Sequence, residues 1–219
     1  MPTHKYMKLD GTAVVGVTTA IGLLGLNKTP LMYWAWEQGK AGKDFRETKD
    51  NAADSGTLAH YLIECDIHGT KPDQAILDKA GKDILDKAET AYLNFLEWKK
   101  TNHIELVHTE LPLVSEKYGY GGTIDYIGKV DGKYALLDWK TSTGVYADYL
   151  IQVAAYTQLW LEHNPDKPLT GGIHLLRIDK DNGKFTHHRW DSTPPEAFDI
   201  FLDLLDIYNK KKVVDKAAK

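Results

Sequence analysis

The stretch GGTIDYIGKVDGKYALLDWKTS, residues 121–142, predicts the centre of the fold. A single Asp-Gly pair, Asp131-Gly132, separates two runs in which apolar and polar residues alternate. This pattern is the strongest short-range signal of a two-residue β-hairpin. Counting outward from the turn, we expect Asp125 on the first strand to lie opposite Asp138 on the second. The hairpin therefore predicts two aspartates as direct cross-strand neighbours.

The predicted pairing places two negative charges side by side. Cross-strand partners share a sheet face with Cβ atoms roughly 4.5–5.5 Å apart, and like charges there destabilise the sheet unless something neutralises them. A bound cation would neutralise Asp125 and Asp138. Because strands alternate their faces, Lys140 should present its ammonium group on the face of Asp138, roughly 7 Å along the strand. The stretch predicts a metal site with an amine beside it, unless a register slip or a bulge moves these side chains.

The length and composition are typical of a globular protein with a buried core. The chain has 219 residues, of which 42% are hydrophobic and 26% are charged, and we expect a single domain over residues 1–219. The net charge of −4 does not favour nucleic-acid binding, for which a basic domain is the usual feature. A polyanionic partner would have to meet local positive charge or a metal.

Cysteine usage and hydropathy limit the cofactors and the location. Cys65 is the only cysteine, which excludes an internal disulfide, a Cys-based structural zinc site and a four-cysteine iron–sulfur cluster. The sequence has no apolar run near the ~18–20 residues of a membrane span, and its first residues lack the apolar stretch of a secretory signal. We therefore expect a cytoplasmic protein without membrane association.

The hydrophobic periodicity predicts helices around a sheet. In chain order the predicted elements are short helices within 18–47, helices over 50–68 and 71–100, a strand from Ile104, the hairpin, a helix over 146–162, strands near 172–178 and 184–190, and a helix after Pro194-Pro195. This order is typical of an α/β sheet packed by helices. Residues 1–103 would form a mostly helical N-terminal part, and residues 104–219 would hold the sheet core and the C-terminal helix.

Two pairs of polar side chains stand four residues apart on predicted helices and so share a helix face. His60 and Glu64 could both point at the hairpin, and a histidine near carboxylates can be a metal ligand. Gln152 and Tyr156 could reach a phosphate or orient Lys140. Taken alone, each pair would more often be structural than functional.

Three aromatic residues cluster near the N-terminus at Tyr33, Trp34 and Trp36. They could stack unpaired bases, and each such platform is worth roughly 1–3 kcal/mol per base. Aromatic residues clustered at helical spacing are more often part of the core, and we favour that interpretation.

Four short motifs resemble a known family when they are taken in order. GTLAH (56–60) with Glu64, GTID (122–125), DWK (138–140) with Thr141-Ser142, and QVAAY (152–156) resemble the motifs of RecB-type nucleases of the PD-(D/E)XK superfamily. Each motif is weak alone, but four in order at sensible spacing are a strong signal. The resemblance implies a restriction-endonuclease-like α/β core, in which helices flank a central mixed β-sheet, with a helical N-terminal extension.

The resemblance also implies roles for individual residues. The implied ligands of Mg²⁺ or Mn²⁺ are His60, Asp125, Asp138 and the main-chain carbonyl of Trp139. Lys140 would position or activate the attacking water, so the implied catalytic residues are Lys140, Asp125 and Asp138. Contacts to DNA, or support of the site, would come from Gln152, Tyr156, Thr141 and Ser142, and the possible accessory residues are Glu64 and Glu110. Cysteines that hold an iron–sulfur cluster in some relatives are absent, so no such cluster is expected.

The implied function is a metal-dependent deoxyribonuclease that digests single-stranded or duplex DNA from its ends, in phage-type DNA processing, recombination or repair. Mg²⁺ prefers oxygen ligands, and a histidine ligand favours Mn²⁺ as a working alternative. A catalytically silent nucleic-acid-binding or scaffold module is a second interpretation, although the chain keeps both aspartates and Lys140. A metal-dependent phosphatase acting on small molecules is a third, and nothing in the sequence offers it a nucleoside pocket.

Overall fold

The computed structural model describes residues 5–23, 28–42, 44–142, 144–178 and 185–218. Over these ranges the elements, in chain order, are β1 (Tyr6–Met7), β2 (Ala13–Gly16), α1 (Val17–Ile21), α2 (Lys28–Lys40), α3 (Phe45–His68), α4 (Gln74–Lys79), α5 (Lys82–Thr101), β3 (Ile104–Ser115), β4 (Tyr120–Val130), β5 (Lys133–Thr141), α6 (Ala147–His163), β6 (Gly172–Ile178), β7 (Phe185–Trp190) and α7 (Pro195–Ala217). Helices with the length and apolarity to cross a bilayer are not found among them.

The strands form one mixed sheet in the order β1-β2-β4-β5-β6-β7, with β3 also paired to β4. The β3–β4, β4–β5 and β6–β7 pairs are antiparallel, whereas β2–β4 and β5–β6 are parallel. Helix α6 lies between β5 and β6 in sequence and supplies the crossover that a parallel pair needs. The mixed sheet flanked by helices confirms the predicted fold class.

The hairpin that joins β4 to β5 has the predicted turn. Asp131 and Gly132 both have a positive φ, of 51° and 76°, which is the conformation that the favoured two-residue turn requires. The ladder runs from Val130 opposite Lys133 as far as Tyr126 opposite Leu137. The predicted register is therefore confirmed over this part of the hairpin.

Hydrophobic cores cover both faces of the sheet. One core packs α1, α6 and α7 against side chains that include Ile127 and Leu136. The other packs α3 and α5 against side chains that include Leu137 and Trp139. Because successive residues of β5 point into different cores, this strand is buried on both faces. By the same alternation, Asp138 lies on the sheet face that packs against α6. An apolar residue would be expected at this position.

Strand β4 has different partners at its two ends. Tyr120 and Gly121 pair with β3 and also with β2, whereas residues 126–130 pair with β3 and also with β5. Since β3 holds one edge of β4 throughout, β2 and β5 must share the other edge. Residues 122–125 lie between these two partners, and the candidate site is built at this interval.

The N-terminal part contains two differences from the predicted elements. The long helix predicted over 71–100 is two helices, because Ala80 and Gly81 are both extended, with ψ of 133° and 150°, and Gly81 caps the second helix. Two short strands, β1 and β2, were not predicted, since they form by pairing with each other and with β4 rather than from a local pattern. Residues 24–27 and 43 of the predicted 18–47 helical region lie outside the described residues.

Candidate active site

Strands β4 and β5 separate where the sequence predicts paired aspartates. The hydrogen-bonded register ends at Tyr126 and Leu137, so the predicted cross-strand pairing of Asp125 with Asp138 is wrong. Instead, the Trp139 backbone N–H donates to Asp125 Oδ2 at 3.2 Å. The carboxylate of Asp125 therefore occupies the gap between the strands and takes the place of a backbone acceptor.

Glu110 is brought to the same place by an irregularity in β3. The register between β3 and β4 shifts by one residue between Leu106 and His108, which is a β-bulge. Glu110 follows with a φ of 44°, a left-handed conformation that is uncommon for a residue other than glycine. Its place in the ladder lies opposite Asp125, and an outlier of this kind at a cluster of charges is typical of a functional site.

Helix α3 contributes His60 to these two carboxylates. One ligand atom from each of His60, Glu110 and Asp125 lies within 4.8 Å of the other two, and His60 Nδ1 is 3.9 Å from Asp125 Oδ2. Glu64, one turn further along α3, lines the same small cleft. We call His60, Glu110, Asp125, Asp138 and Lys140 together the acidic cluster.

The close approach of α3 depends on a glycine in the GTLAH motif. A Cβ atom at Gly56 would lie 2.5 Å from Thr141 Oγ1 at the end of β5, which is closer than real Cβ contacts come. A side chain at residue 56 would therefore require Thr141 to change rotamer or α3 to move away from the sheet. Since His60 lies one turn along on the same helix face, Gly56 sets the distance between His60 and the carboxylates.

Asp138 and Lys140 form the second half of the acidic cluster. Asp138 is only 1% exposed, and its Oδ2 lies 2.6 Å from Lys140 Nζ. This charge-assisted contact satisfies Oδ2, whereas Oδ1 is buried without a hydrogen-bond partner among the residues that the structure describes. The Lys140 ammonium also lies over the ring of Tyr149, 5.4 Å from its centroid. Asp138 is thus a buried carboxylate with unused acceptor capacity.

The surroundings raise the pKa values of the three acids. Burial, followed by the charges of Asp125 and Glu64, raises the pKa of Glu110 to about 7. Burial also raises the pKa of Asp138 to about 6, where the Asp125 charge adds to it and Lys140 opposes it. For Asp125 burial raises the pKa, and the Lys140 charge and the Trp139 N–H oppose that shift. All three carboxylates would be stabilised by additional positive charge.

The two basic groups respond in opposite directions. Burial, and then the Lys140 charge, lowers the pKa of His60 to about 4, so the imidazole is neutral at pH 7 and has a lone pair for a metal. Burial also acts to lower the pKa of Lys140, but the charges of Asp138 and Asp125 outweigh it and raise the value. Lys140 is therefore a cation at neutral pH.

Helix α6 places two of the predicted residues beside the sheet. Gln152 Nε2 donates to the Tyr156 hydroxyl at 2.9 Å. Burial, and then the charges of Asp125 and Asp138, raises the pKa of Tyr156 well above its ordinary value, so this hydroxyl remains protonated. Gly122 leaves the space for that ring, because a Cβ atom there would lie 2.7 Å from Tyr156 Cε1.

Thr141 and Ser142 lie at the end of β5, and Ser142 is held by backbone contacts. Its N–H donates to the Ile178 carbonyl at 3.1 Å, and its hydroxyl donates to the Gly144 carbonyl at 2.8 Å. Arg177 Nη1 donates to the Ser142 carbonyl at 2.8 Å. These bonds fix the chain as it leaves the site.

The donor set of the acidic cluster fits a divalent cation. A neutral imidazole and two carboxylates converge within 4.8 Å, and Asp138 beside them has a buried oxygen, Oδ1, without a hydrogen-bond partner among the described residues. Mg²⁺ and Mn²⁺ take such oxygen ligands, and Mn²⁺ also accepts imidazole. Glu110, which sequence reasoning gives only as a possible accessory residue, is a full member of this group. No local signal identifies it, since its position depends on a bulge and a left-handed backbone.

The aromatic residues of α2 are not part of the core. Tyr33 is 66% exposed and Trp36 is 58% exposed, so the core interpretation is wrong for both, while Trp34 is half-buried. Lys40 Nζ lies 4.3 Å from the centroid of the Trp36 ring. The helix thus presents two aromatic rings and a cation to solvent.

A comparison with protein-family models agrees with this architecture. A family model described as the PD-(D/E)XK nuclease superfamily matches residues 26–217. A candidate exonuclease from Eubacterium rectale is similar at 13% identity over 72% of this chain, with a TM-score of 0.47, and the chain spans 65% of that protein's length. LHK-Exo, whose structure holds dAMP, is similar at 13% identity over 77% of this chain and 91% of its own, with a TM-score of 0.33. Among curated proteins, none matches the sequence.

Proposed function

Because the chain belongs to the PD-(D/E)XK nuclease superfamily, we propose that it is a Mg²⁺- or Mn²⁺-dependent exonuclease that hydrolyses phosphodiester bonds from DNA ends. The observation that supports this most directly is the convergence of His60, Glu110 and Asp125 within 4.8 Å, next to the buried ion pair of Asp138 and Lys140. We further propose that residues 1–219 act as one nuclease domain in the cytoplasm.

The metal would be held by residues from four elements of the fold. His60 of α3, Glu110 of β3 and Asp125 of β4 are the groups already close together, and Asp138 and the Trp139 carbonyl of β5 complete the proposed set. A bound divalent cation supplies Lewis acidity at a phosphate oxygen and lowers the pKa of water. The raised pKa values of Glu110 and Asp138 are consistent with carboxylates that require a cation in order to be fully ionised near pH 7.

Lys140 would act as a fixed cation rather than as a base. The charges of Asp138 and Asp125 keep it protonated, and the 2.6 Å contact with Asp138 holds its ammonium group in place. An ammonium group donates up to three hydrogen bonds and accepts none. It can therefore orient a water molecule by donating to the water oxygen. It also offsets negative charge that grows on the phosphoryl oxygens as the bond to the leaving group breaks.

Contacts to the nucleic acid would come from three places. Gln152 and Tyr156 form a hydrogen-bonded pair beside the site, and Thr141 and Ser142 lie where β5 ends. The exposed rings of Tyr33 and Trp36 would stack unpaired bases. Because the net charge of the chain is −4, DNA binding should depend on local cations and weaken steeply as salt is added.

The most specific parts of the proposal are the dependence on DNA ends and a role in phage-type DNA processing, recombination or repair. They are motivated by the resemblance of the four motifs to those of RecB-type nucleases. A closed circular substrate tests end dependence directly, since an enzyme that needs an end cannot begin on a circle. Rapid cutting of the circle would contradict the exonuclease assignment while leaving the nuclease assignment intact.

The experiment compares the wild type with Lys140→Ala and Asp138→Ala on three substrates labelled at either end: linear single-stranded DNA, linear duplex and closed circular DNA. We expect wild type to degrade linear DNA with Mg²⁺ or Mn²⁺ and not with chelator, and both variants to lose this activity. Circular dichroism would establish that the variants are folded.

Three outcomes would change the assignment. If Asp138→Ala digests DNA at the wild-type rate, the proposed site is wrong. If wild type binds DNA but cleaves none of the substrates with either metal, the silent binding or scaffold module becomes the better interpretation. Release of phosphate from small phosphomonoesters without DNA cleavage would favour the phosphatase alternative.

A further inference from the structure

A groove away from the acidic cluster lies between the β1–β2 hairpin, the turn that joins β3 to β4, and the end of α7. Its volume is about 310 Å³, and its lining residues are Lys8, Thr12, Ala13, Val14, Val15, Tyr118, Gly119, Tyr208, Asn209 and Lys212. Two lysines, two tyrosines, a threonine and an asparagine offer hydrogen-bond donors, and none of the lining residues is acidic. In a chain of net charge −4, this is a local concentration of positive charge.

The first of the two lysines is held in place by the fold. Lys8 Nζ donates to the Glu116 carbonyl at 2.9 Å, and its side chain lies beside Gly119. Gly119 has a φ of 75°, a conformation that favours glycine in the turn beside this lysine. Since an ammonium group has three hydrogens, two remain for a ligand.

The second lysine differs from its neighbours on the same helix. Lys210 pairs with Asp206, and Lys211 pairs with Asp215. Lys212 lines the groove, and neither it nor Lys8 forms an ion pair with a carboxylate within the described part of the chain. Two carboxylates lie near Lys8, and each accepts from a backbone N–H: Asp10 Oδ1 accepts from Thr12 at 2.8 Å, and Glu116 Oε1 accepts from Leu9 at 2.8 Å. Two lysines far apart in sequence thus bring positive charge to one groove.

We propose that this groove binds a phosphate group of a nucleic-acid strand. Lys8 and Lys212 would contact the phosphate oxygens from opposite walls, and Tyr208 and Asn209 would supply neutral hydrogen bonds. The groove adjoins the Tyr120 end of β4, five residues from Asp125, which is roughly 17 Å along an extended strand. The groove would therefore hold the substrate outside the acidic cluster.

The test measures binding in chelator, where no cleavage occurs, with a fluorescein-labelled single-stranded 20-mer at several salt concentrations. The groove variant is Lys8→Gln with Lys212→Gln, and the matched control is Lys210→Gln with Lys211→Gln, which removes the same total charge from α7 next to Lys212. We expect the groove variant to raise Kd about 10-fold and to reduce the slope of log K against log salt by about 0.7, as the loss of one phosphate contact on a single strand predicts. The control should change Kd less than about 2-fold.

Two results would overturn the inference. Equal weakening by the groove variant and the control would mean that only bulk charge matters, and an unchanged Kd in the groove variant would mean that the groove is not used. Thermal melting of each variant verifies that it is folded, and Tyr208→Leu provides an uncharged second variant that should also weaken binding if the groove is the site.

A free nucleotide carries the same phosphate chemistry as a strand, so thymidine 5′-monophosphate is tested as a competitor. If millimolar monophosphate displaces the 20-mer from wild type and from the groove variant equally, the groove recognises the strand. Selective displacement from wild type would overturn the strand assignment in favour of a free nucleotide. The choice of nucleic acid as the ligand rests on the proposed function. The binding test requires no turnover, so failure of the groove inference is distinguishable from failure of the proposed nuclease activity.

Discussion

Two clusters of titratable side chains lie on the same sheet, and they differ in how completely their hydrogen-bonding groups are paired. In one, the Trp98 indole donates to His187 Nδ1 at 3.2 Å, His187 Nε2 is 2.9 Å from His174 Nδ1, and His174 Nε2 is 3.1 Å from the Gly171 carbonyl. A single assignment of protons, with both imidazoles neutral, satisfies all three contacts. We call His174 and His187 the histidine pair. The acidic cluster has no such closure, since Asp138 Oδ2 contacts the Lys140 ammonium but Oδ1 is buried without a hydrogen-bond partner in the described chain.

The histidine pair stabilises the fold. The acidic cluster instead contains carboxylates whose negative charges are unfavourable in their buried surroundings. A closed hydrogen-bond chain contributes to stability because no buried donor or acceptor is left over. Carboxylates with raised pKa values cost stability when they ionise, and such costs concentrate at functional sites. The comparison thus predicts opposite effects when each cluster is neutralised.

The largest expected effect comes from Glu110→Gln in the acidic cluster. We expect kcat/KM for metal-dependent DNA hydrolysis to fall about 100-fold, which is the scale of losses when a metal site loses a supporting group. In chelator at pH 8, the same variant should melt at a higher temperature than wild type, because a buried charge near Asp125 and Glu64 has been removed. Initial rates and thermal melting measure the two effects. Lower activity together with a lower melting temperature would argue that Glu110 is structural.

Metal binding should give the next largest effect, on stability. Saturation at about 100 times Kd stabilises a folded protein by about 2.7 kcal/mol, which for a chain of this size corresponds to a rise in Tm of about 5–10 °C. We expect Mn²⁺ or Mg²⁺ to produce this rise in wild type and in His187→Gln, and not in Asp125→Asn. A metal-induced rise that persists in Asp125→Asn would place the bound cation elsewhere.

The smallest effect concerns the pH dependence of stability at the histidine pair. Burial, and then the charges of His174, His188 and Arg189, lowers the pKa of His187 from 6.5 to about 4. Between these values the unfolded chain binds the extra proton, so the stabilisation is complete above pH 6.5 and is lost as pH falls toward 4. Thermal melts should show wild type losing its advantage over His187→Gln across this window. A difference between the two that is independent of pH would contradict the lowered pKa.

The acidic cluster should show the reverse dependence in chelator. The folded protein binds the proton of Glu110 up to a pKa of about 7, whereas the unfolded chain releases it near 4.5. The stability deficit of wild type relative to Glu110→Gln should therefore grow as pH rises from 4.5 to 7. The histidine pair should lower the stability of the protein as pH falls, and the acidic cluster should lower it as pH rises. A single series of thermal melts across pH therefore distinguishes the two clusters.

Features that depend on short-range chemistry were accessible from the sequence. The turn at Asp131-Gly132 is local, because both residues accept a positive φ, and it fixes the register of the strands that it joins. Lys140 lies on the face of Asp138 because strand alternation requires no distant partner. The superfamily, the mixed sheet and the helices that flank it follow from motifs and periodicities of this kind.

Features that depend on distant partners were not accessible. The pairing of Asp125 with Asp138 fails because β4 exchanges β5 for β2 along one edge, and β2 lies far away in the sequence. Glu110 reaches the site through a bulge that no glycine marks. The exposure of Tyr33 and Trp36 depends on which other elements pack against α2. The spacing of aromatic residues along one helix does not indicate that packing.

The division of β4 between two partners also has a consequence for the order in which the chain folds. Strands β3, β4 and β5 are joined by short turns and can pair as soon as they are made, whereas β2 must close a loop of about a hundred residues to reach Tyr120. The entropy of that closure is recovered only once the sheet exists to receive it. We therefore expect the amino-terminal hairpin to dock among the last events of folding, so that the groove around Lys8 forms later than the core of the sheet.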